Sequence, residues 1–229
     1  FETLYGLGVR SFCIVTGRGK RALEDHFTPD WSFLDLLRER GKEGVARDLE
    51  SFYRMVESST ILWVRQPKPL GFGHAVYMAK YFVGGEAFIL AAADTVVYPE
   101  SYLKAMLEAY SGGSSGVLLL KPVENPRIYG VALVDGGRVL RVIEKPREPP
   151  SSLAIMPYYI LPPEIMDVLG ELKPGVGGEI QLTDAIEVLI ESGFTFKYVV
   201  LEDGDFADVG TPEGYMKALE VSYRYARGP

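Results

Sequence analysis

Residues 177–186 read Gly-Gly-Glu-Ile-Gln-Leu-Thr-Asp-Ala-Ile. They gather hydrogen-bonding chemistry at one point: the Glu179 and Asp184 carboxylates, the Gln181 amide and the Thr183 hydroxyl. Leu182, Ala185, Ile186, Leu189 and Ile190 recur at helical spacing, so the helix that begins here carries one apolar face and is anchored in a core. At its mouth Glu179 and Gln181 can bind hydroxyls, and the paired glycines let the backbone come close to a ligand. A helix with a polar first turn would look the same taken alone. What favours a site is the company of further polar clusters at strand ends.

Ligands of α/β sheets lie beyond the carboxyl ends of the strands, and four groups of residues fall there. Arg65-Gln66 closes an apolar run and leads through Pro67-Lys68-Pro69-Leu70 to Gly71-Phe72-Gly73-His74-Ala75. The Gln66 amide donates and accepts at once, as reading the edge of a base requires. Gly71 and Gly73 let the backbone approach a ligand, and the helix starting near Gly73 offers free amides to an anion; a plain Pro/Gly loop would contain the same residues. Asp94 follows three alanines, which leave room for a bulky ligand and a metal. Magnesium takes one or two carboxylates and fills its shell with phosphate oxygens and water, although a lone aspartate is more commonly a cap or turn residue. Glu144-Lys145-Pro146 ends another strand. The lysine suits a phosphate as a point charge and the glutamate suits sugar hydroxyls, while by itself the tripeptide reads as an ordinary exposed strand exit. In Asp208-Val209-Gly210-Thr211-Pro212, Thr211 caps the last helix with Pro212 at its first position. That leaves Asp208 free to be a second metal carboxylate.

The elements that must position these groups alternate. Strands are predicted over 12–16, 61–64, 88–92 and 117–121, with helices over 20–27, 73–82 and 99–110, the last opened by Pro99. Between 33 and 58, Leu34, Leu37, Val45, Leu49, Phe52 and Val56 sit at roughly helical spacing. The alternation predicts a mostly parallel sheet with helices on both faces. Past Lys121 the rhythm changes. Residues 131–134 and 139–143 flank Gly136-Gly137 as a hairpin, 154–160 is a further strand, and 196–201 another before the last helix. Residues 148–152 form the best loop candidate and are too few to separate domains, so one α/β domain over 1–229 is expected, with an antiparallel addition in its second half.

Of the 229 residues 47% are hydrophobic, enough for one sizeable domain or a tightly joined pair. A net charge of -7 and a pI near 5.0 argue against nucleic acid or an anionic membrane as partner, but not against a phosphorylated small molecule. No apolar run is long enough to span a bilayer, and no signal peptide is present. The lone Cys13, inside an apolar run, excludes an internal disulfide and reads as a buried small apolar residue. A cytoplasmic protein is expected.

Three stretches together resemble the sugar-1-phosphate nucleotidylyltransferases, and most closely their UTP–glucose-1-phosphate uridylyltransferase branch: residues 15–27, Arg65-Gln66 with 70–76, and 178–186. The helical segment between Phe33 and Ser58 is typical of that branch. The resemblance implies an α/β fold with a Rossmann-like mixed sheet of the nucleotide-diphospho-sugar transferase type, helices on both faces. It implies transfer of a uridylyl group from UTP to glucose 1-phosphate, Mg²⁺ as cofactor, and self-association, with no nucleic acid or membrane as partner. Residue by residue it assigns Gln66 and Gly71 to the uracil end of UTP and Asp94 and Asp208 to Mg²⁺. Gly130 falls against the sugar or ribose, Glu144 and Glu179 on glucose hydroxyls, and Lys145 on the sugar phosphate. Asp94, Lys145 and Asp208 make up the catalytic set.

Two departures stand out. Relatives open with a strand and a glycine-rich triphosphate loop. Gly6-Leu7-Gly8-Val9-Arg10 imitates that loop, but residues 12–20 match the second strand and its exit, so the loop is expected before Phe1. Met156-Pro157 stands where relatives usually place a glycine, on a strand lining the sugar pocket, which makes the sugar less secure than the reaction class. Two alternatives stay open: a non-catalytic nucleotide-sugar-binding or regulatory module, and a sister transferase using another nucleotide or sugar 1-phosphate.

Overall fold

The computed structural model describes residues 1–226; residues 227–229, counted in the predicted domain, lie outside the described residues. Its contacts form two compact units, Phe1–Pro69 with Met78–Phe82, and Leu70–Tyr77 with the chain from Val83 onward.

The first unit runs α1 (Glu2–Gly6), β1 (Ser11–Thr16), α2 (Arg21–His26), α3 (Trp31–Glu39), α4 (Glu43–Glu57) and β2 (Thr60–Arg65). Strands β1 and β2 pair in parallel, Phe12 opposite Ile61 and Thr16 opposite Arg65. The segment predicted as helical is the α3–α4 pair. Asp30 caps α3 by accepting from the Phe33 amide at 3.0 Å. Leu34 and Leu37 bury against Ala46 and Leu49. Val45 does not join them: it is 56% exposed, and its neighbour Ala46 faces the core instead. Arg38 and Arg54 converge on Glu50 at 2.5 and 2.6 Å. Cys13 is half-buried rather than buried, and that burial raises its thiol pKa.

Beyond β2 the helix predicted over 73–82 is two pieces, α5 (Phe72–Met78) and α6 (Lys80–Val83), separated at Ala79. The second unit continues with β3 (Phe88–Ala91), β4 (Thr95–Tyr98), α7 (Ser101–Ser111) and β5 (Gly116–Pro122). It goes on with β6 (Gly130–Asp135), β7 (Arg138–Glu144), β8 (Leu153–Leu161), α8 (Ile165–Glu171) and α9 (Leu182–Glu191). Strands β9 (Phe196–Val200) and β10 (Asp205–Asp208) precede α10 (Pro212–Ala226). Pro99 does not open α7; it follows Tyr98 through a cis peptide, and the helix begins at Ser101.

The larger sheet is mixed, in the order β3-β8-β5-β9-β7-β6. Only β5 and β9 pair in parallel within it, because the late strand β8 lies antiparallel between β3 and β5. The alternation of strands and helices along the chain had predicted parallel neighbours there. Val117 to Leu120 on β5 are fully buried, as are Phe196 on β9 and Ala185 and Ile186 on α9. The apolar face read from spacing in α9 is the buried one, with Leu182 and Leu189 beside them. Thr211 caps α10 as predicted, its hydroxyl accepting from the Gly214 amide at 3.0 Å. Among the described residues no helix is long and apolar enough to cross a membrane.

Candidate functional site

The hairpin of β6 and β7 builds the first part of the site. Its turn is Gly136-Gly137, with φ of 53° and 78°, a pair of positive values that glycine supplies without cost. The register then sets Gly130 opposite Glu144 at the far end. Glu144 is not the exposed strand exit its sequence suggested: its side chain is 10% exposed and accepts from the Thr183 hydroxyl of α9 at 2.8 Å. Its other oxygen lies 3.6 Å from the Lys145 ammonium. A side chain at position 130 would crowd this pair, since a Cβ there would lie 2.9 Å from Thr183 Oγ1 and 3.1 Å from Glu144 Oε2.

Lys145 is the one non-glycine residue of positive φ among those described, at 42°. For a residue with a Cβ that conformation costs about 1–2 kcal/mol. It is held by the Lys145 amide donating to the Tyr129 carbonyl at 3.1 Å, while the Lys145 side chain is exposed.

Two short strands that the sequence reading missed bring the backbone segments of Asp94 and Asp208 side by side. Strands β4 and β10 pair antiparallel with Asp208 opposite Thr95, so the backbone of Asp94 lies opposite Val209, one position on from Asp208. The Val209 amide donates to the Asp94 carbonyl at 2.7 Å, and Gly210 donates to Asp208 Oδ1 at 2.7 Å. Both carboxylates are exposed. Among the described residues no cluster of three or more His, Cys, Asp or Glu side chains could hold a metal. A pair of carboxylates nevertheless fits Mg²⁺, which takes one or two from a protein and its remaining oxygens from phosphate and water. The half-buried Tyr129 joins this pair to the hairpin. Burial, and after it the Asp208 carboxylate, raises its hydroxyl pKa, and its carbonyl holds Lys145.

The mouth of α9 completes the arrangement. Gln181 Nε2 donates to Glu179 Oε2 at 3.2 Å. Ile180 pairs with the loop ahead of α5, its amide donating to the Leu70 carbonyl at 2.8 Å and its carbonyl accepting from the Gly73 amide at 2.9 Å. This contact gives Gly71, in the loop, and Gly73, in the first turn of α5, a structural reason. A Cβ on Gly71 would lie 2.7 Å from Glu179 Cβ, and one on Gly73 would lie 2.7 Å from the Ile180 carbonyl oxygen. Gly71 also has φ of 102°. Asp184, in the first turn, has its carboxyl pKa raised by burial and then by Glu144.

On β8, Pro157 of the Met156-Pro157 pair sits at a break in register. Leu118 pairs with Tyr159 and Leu119 with Met156, so Pro157 and Tyr158 bulge between them. A bulge accommodates a residue that cannot donate to the ladder. The Pro157 carbonyl accepts from the Ala92 amide at 3.0 Å, and the Tyr158 hydroxyl donates to the Thr95 carbonyl at 3.1 Å, next to Asp94. The buried Tyr159 packs on Phe72 with ring centroids 6.4 Å apart; burial and then Glu144 push its hydroxyl pKa far up.

In the second unit the predicted residues thus form a connected series. The backbone segments of Asp94 and Asp208 adjoin, Tyr129 links them to Lys145 and Gly130, Glu144 joins Thr183, and Glu179 abuts Gly71. Gln66 belongs to the first unit, where its amide continues the β1–β2 ladder by donating to the Thr16 carbonyl at 2.9 Å. Tyr129 and the role of Thr183 escaped the sequence reading. Adjacency to Gly130 and a hydroxyl in the first turn of α9 were the available signals.

The sequence profile described as nucleotidyl transferase matches residues 2–223. A UTP–glucose-1-phosphate uridylyltransferase of Staphylococcus saprophyticus is 37% identical over 220 residues, covering 92% of this chain and 74% of that protein. The crystal structure of an apo UDP-glucose pyrophosphorylase superposes with a TM-score of 0.86 at 30% identity, covering 97% of this chain and 84% of the other. A UDP-glucose pyrophosphorylase complexed with UDP-glucose gives 0.83 at 31% identity, with the same coverage. This chain belongs to the nucleotidyl transferase family.

Proposed function

We propose that the protein transfers a uridylyl group from UTP to glucose 1-phosphate, giving UDP-glucose and pyrophosphate. The observation that carries the reading is the position of Lys145. A cation in costly backbone adjoins a largely buried, hydrogen-bonded glutamate, and the Tyr129 whose carbonyl holds its amide also feels the Asp208 carboxylate. The names of the relatives, and the UDP-glucose held by one of them, support the same reaction.

In this reading a phosphate oxygen of glucose 1-phosphate attacks the α-phosphorus of UTP in line, the new P–O bond forms, and the bond to the pyrophosphate oxygen breaks. The nucleophile is already ionised at neutral pH, so no general base is needed and the protein's contribution is positioning and charge neutralisation. Lys145 steadies the sugar phosphate as a point charge. Glu144 and Glu179 accept from hexose hydroxyls, and Gly130 leaves the sugar or ribose room. Gln66 and Gly71 keep the assignment to the uracil end of UTP that the family resemblance gives them. Asp94 and Asp208 would hold Mg²⁺, which when bound offsets charge on phosphate oxygens.

Residues 1–229 belong to one nucleotidylyltransferase domain in this account, in the cytoplasm, with copies associating; light scattering of the purified protein checks the association. The nucleotide is tested by competition. UTP should outcompete dTTP and GTP for turnover with glucose 1-phosphate, and a preference for a purine triphosphate would overturn the role given to Gln66.

A further inference from the structure

We infer that Thr183 is a positioning residue for the hexose: its hydroxyl fixes the Glu144 carboxylate so that the other oxygen is presented to the sugar. The inference rests on the hexose-binding role proposed for Glu144 and deepens it.

A threonine in the first turn of a helix ordinarily spends its hydroxyl locally, on a cap or on a preceding carbonyl. Thr183 instead donates to Glu144 Oε2, on a different element, at 2.8 Å. Thr183 is 8% exposed and the Glu144 side chain 10%, so water does not readily replace the bond. A donor to a carboxylate makes one of the stronger hydrogen bonds in a protein. The threonine is β-branched and its χ1 is stiff, and its helix is anchored through Leu182, Ala185 and Ile186. The bond therefore ties the flexible glutamate side chain to a rigid element.

Gly130 gives independent support. Its φ is not in the left-handed region, so conformation does not demand glycine there. Space does: a Cβ would press on both partners of the bond, 2.9 Å from Thr183 Oγ1 and 3.1 Å from Glu144 Oε2. Three elements, β6, β7 and α9, thus meet at one carboxylate. An ionised carboxylate only accepts, through two oxygens. With Oε2 held by Thr183, Oε1, which lies 3.6 Å from the Lys145 ammonium, is presented in a fixed direction with lone pairs able to accept a sugar hydroxyl. Such fixing favours the hexose without touching the nucleotide.

The test is kinetic. Thr183→Val keeps the shape and removes the donor, and should raise KM for glucose 1-phosphate about tenfold, the loss of one hydrogen bond to a charged group, with KM for UTP unchanged. Thr183→Ser should restore it to within about twofold. Thr183→Ala, which removes the donor without placing a methyl against Glu144, should reproduce the hexose-specific rise and serves if the valine variant fails to fold. In a Glu144→Ala background, calorimetric affinity for UDP-glucose should not change further when Thr183→Val is added. Equal rises in both KM values, no rescue by serine, or additive losses in the double variant would overturn the inference. If the unaltered full-length protein turns over no UTP with any hexose 1-phosphate, the proposed function fails and takes this inference with it. If it turns over normally and Thr183→Val behaves like it, the positioning role alone fails.

Discussion

Gly73→Ala separates two reasons for a glycine in the first turn of α5. Approach to a bound nucleotide would require glycine for the ligand's sake. The structure gives a different demand, because a Cβ there would lie 2.7 Å from the Ile180 carbonyl oxygen, 3.0 Å from the Gln181 carbonyl carbon and 3.0 Å from Leu169 Cδ2. Two of these atoms are backbone, so relief must come from moving the chain. Overpacking of this kind costs about 1–3 kcal/mol. Moving the chain also stretches the bond from the Gly73 amide to Ile180, now 2.9 Å, a further loss of about 0.5–1.5 kcal/mol. Gly73 lies inside α5 at ordinary φ, so alanine recovers up to about 1 kcal/mol of helix propensity. The net is a loss of about 2 kcal/mol, or a fall in Tm of about 4–8 °C for a chain of this size. Thermal unfolding without ligand reads it directly. An unchanged or higher Tm with weakened UTP binding would refute the packing argument and return the glycine to the nucleotide.

Other residues give predictions of different sign. Lys145→Asn keeps a residue that tolerates positive φ and should leave stability equal or about 0.5 kcal/mol higher, while turnover falls about 100-fold with the loss of the phosphate's cation; stability and steady-state kinetics measured on one preparation check both. Arg54, then Arg38, hold the Glu50 carboxyl below its ordinary value of 4.5. A depressed folded pKa means stability present above the ordinary value and lost as pH falls through the folded one. Glu50→Gln should therefore unfold earlier in urea at pH 7, with the difference gone well below pH 4.5. Gly44 lies in α4 with nothing within 4 Å of where a Cβ would stand. Gly44→Ala should stabilise by about 0.5–1 kcal/mol in the same urea titration.

Local signals carried much of the fold. The spacing of Leu182, Ala185, Ile186 and Leu189 marks α9, Gly136-Gly137 marks the hairpin, and Thr211-Pro212 marks the start of α10, because each is settled within a few residues. What escaped depends on distant partners. Strand β8 comes late in the chain, yet its insertion between β3 and β5 makes most of the larger sheet antiparallel. Strands β4 and β10 are four residues each, and β10 begins and ends with an aspartate, so neither offers an apolar run long enough to recognise. Val45 and Ala46 differ by one helical position, and spacing alone chose the larger, exposed one. At the site the residue types were legible: an acid after a strand, a lysine before a proline, glycines before a helix. Their environments were not. Nothing near Glu144 in sequence announces Thr183 as its donor, and nothing near Gly73 announces the Ile180 carbonyl.

Mg²⁺-dependent release of pyrophosphate from UTP and glucose 1-phosphate, compared with the Asp94→Asn and Asp208→Asn proteins, tests the central claim most directly. The account predicts release only when both substrates and Mg²⁺ are present, and a loss of about 100-fold in either variant. No release from the unaltered full-length protein, or release that neither substitution changes, would contradict it.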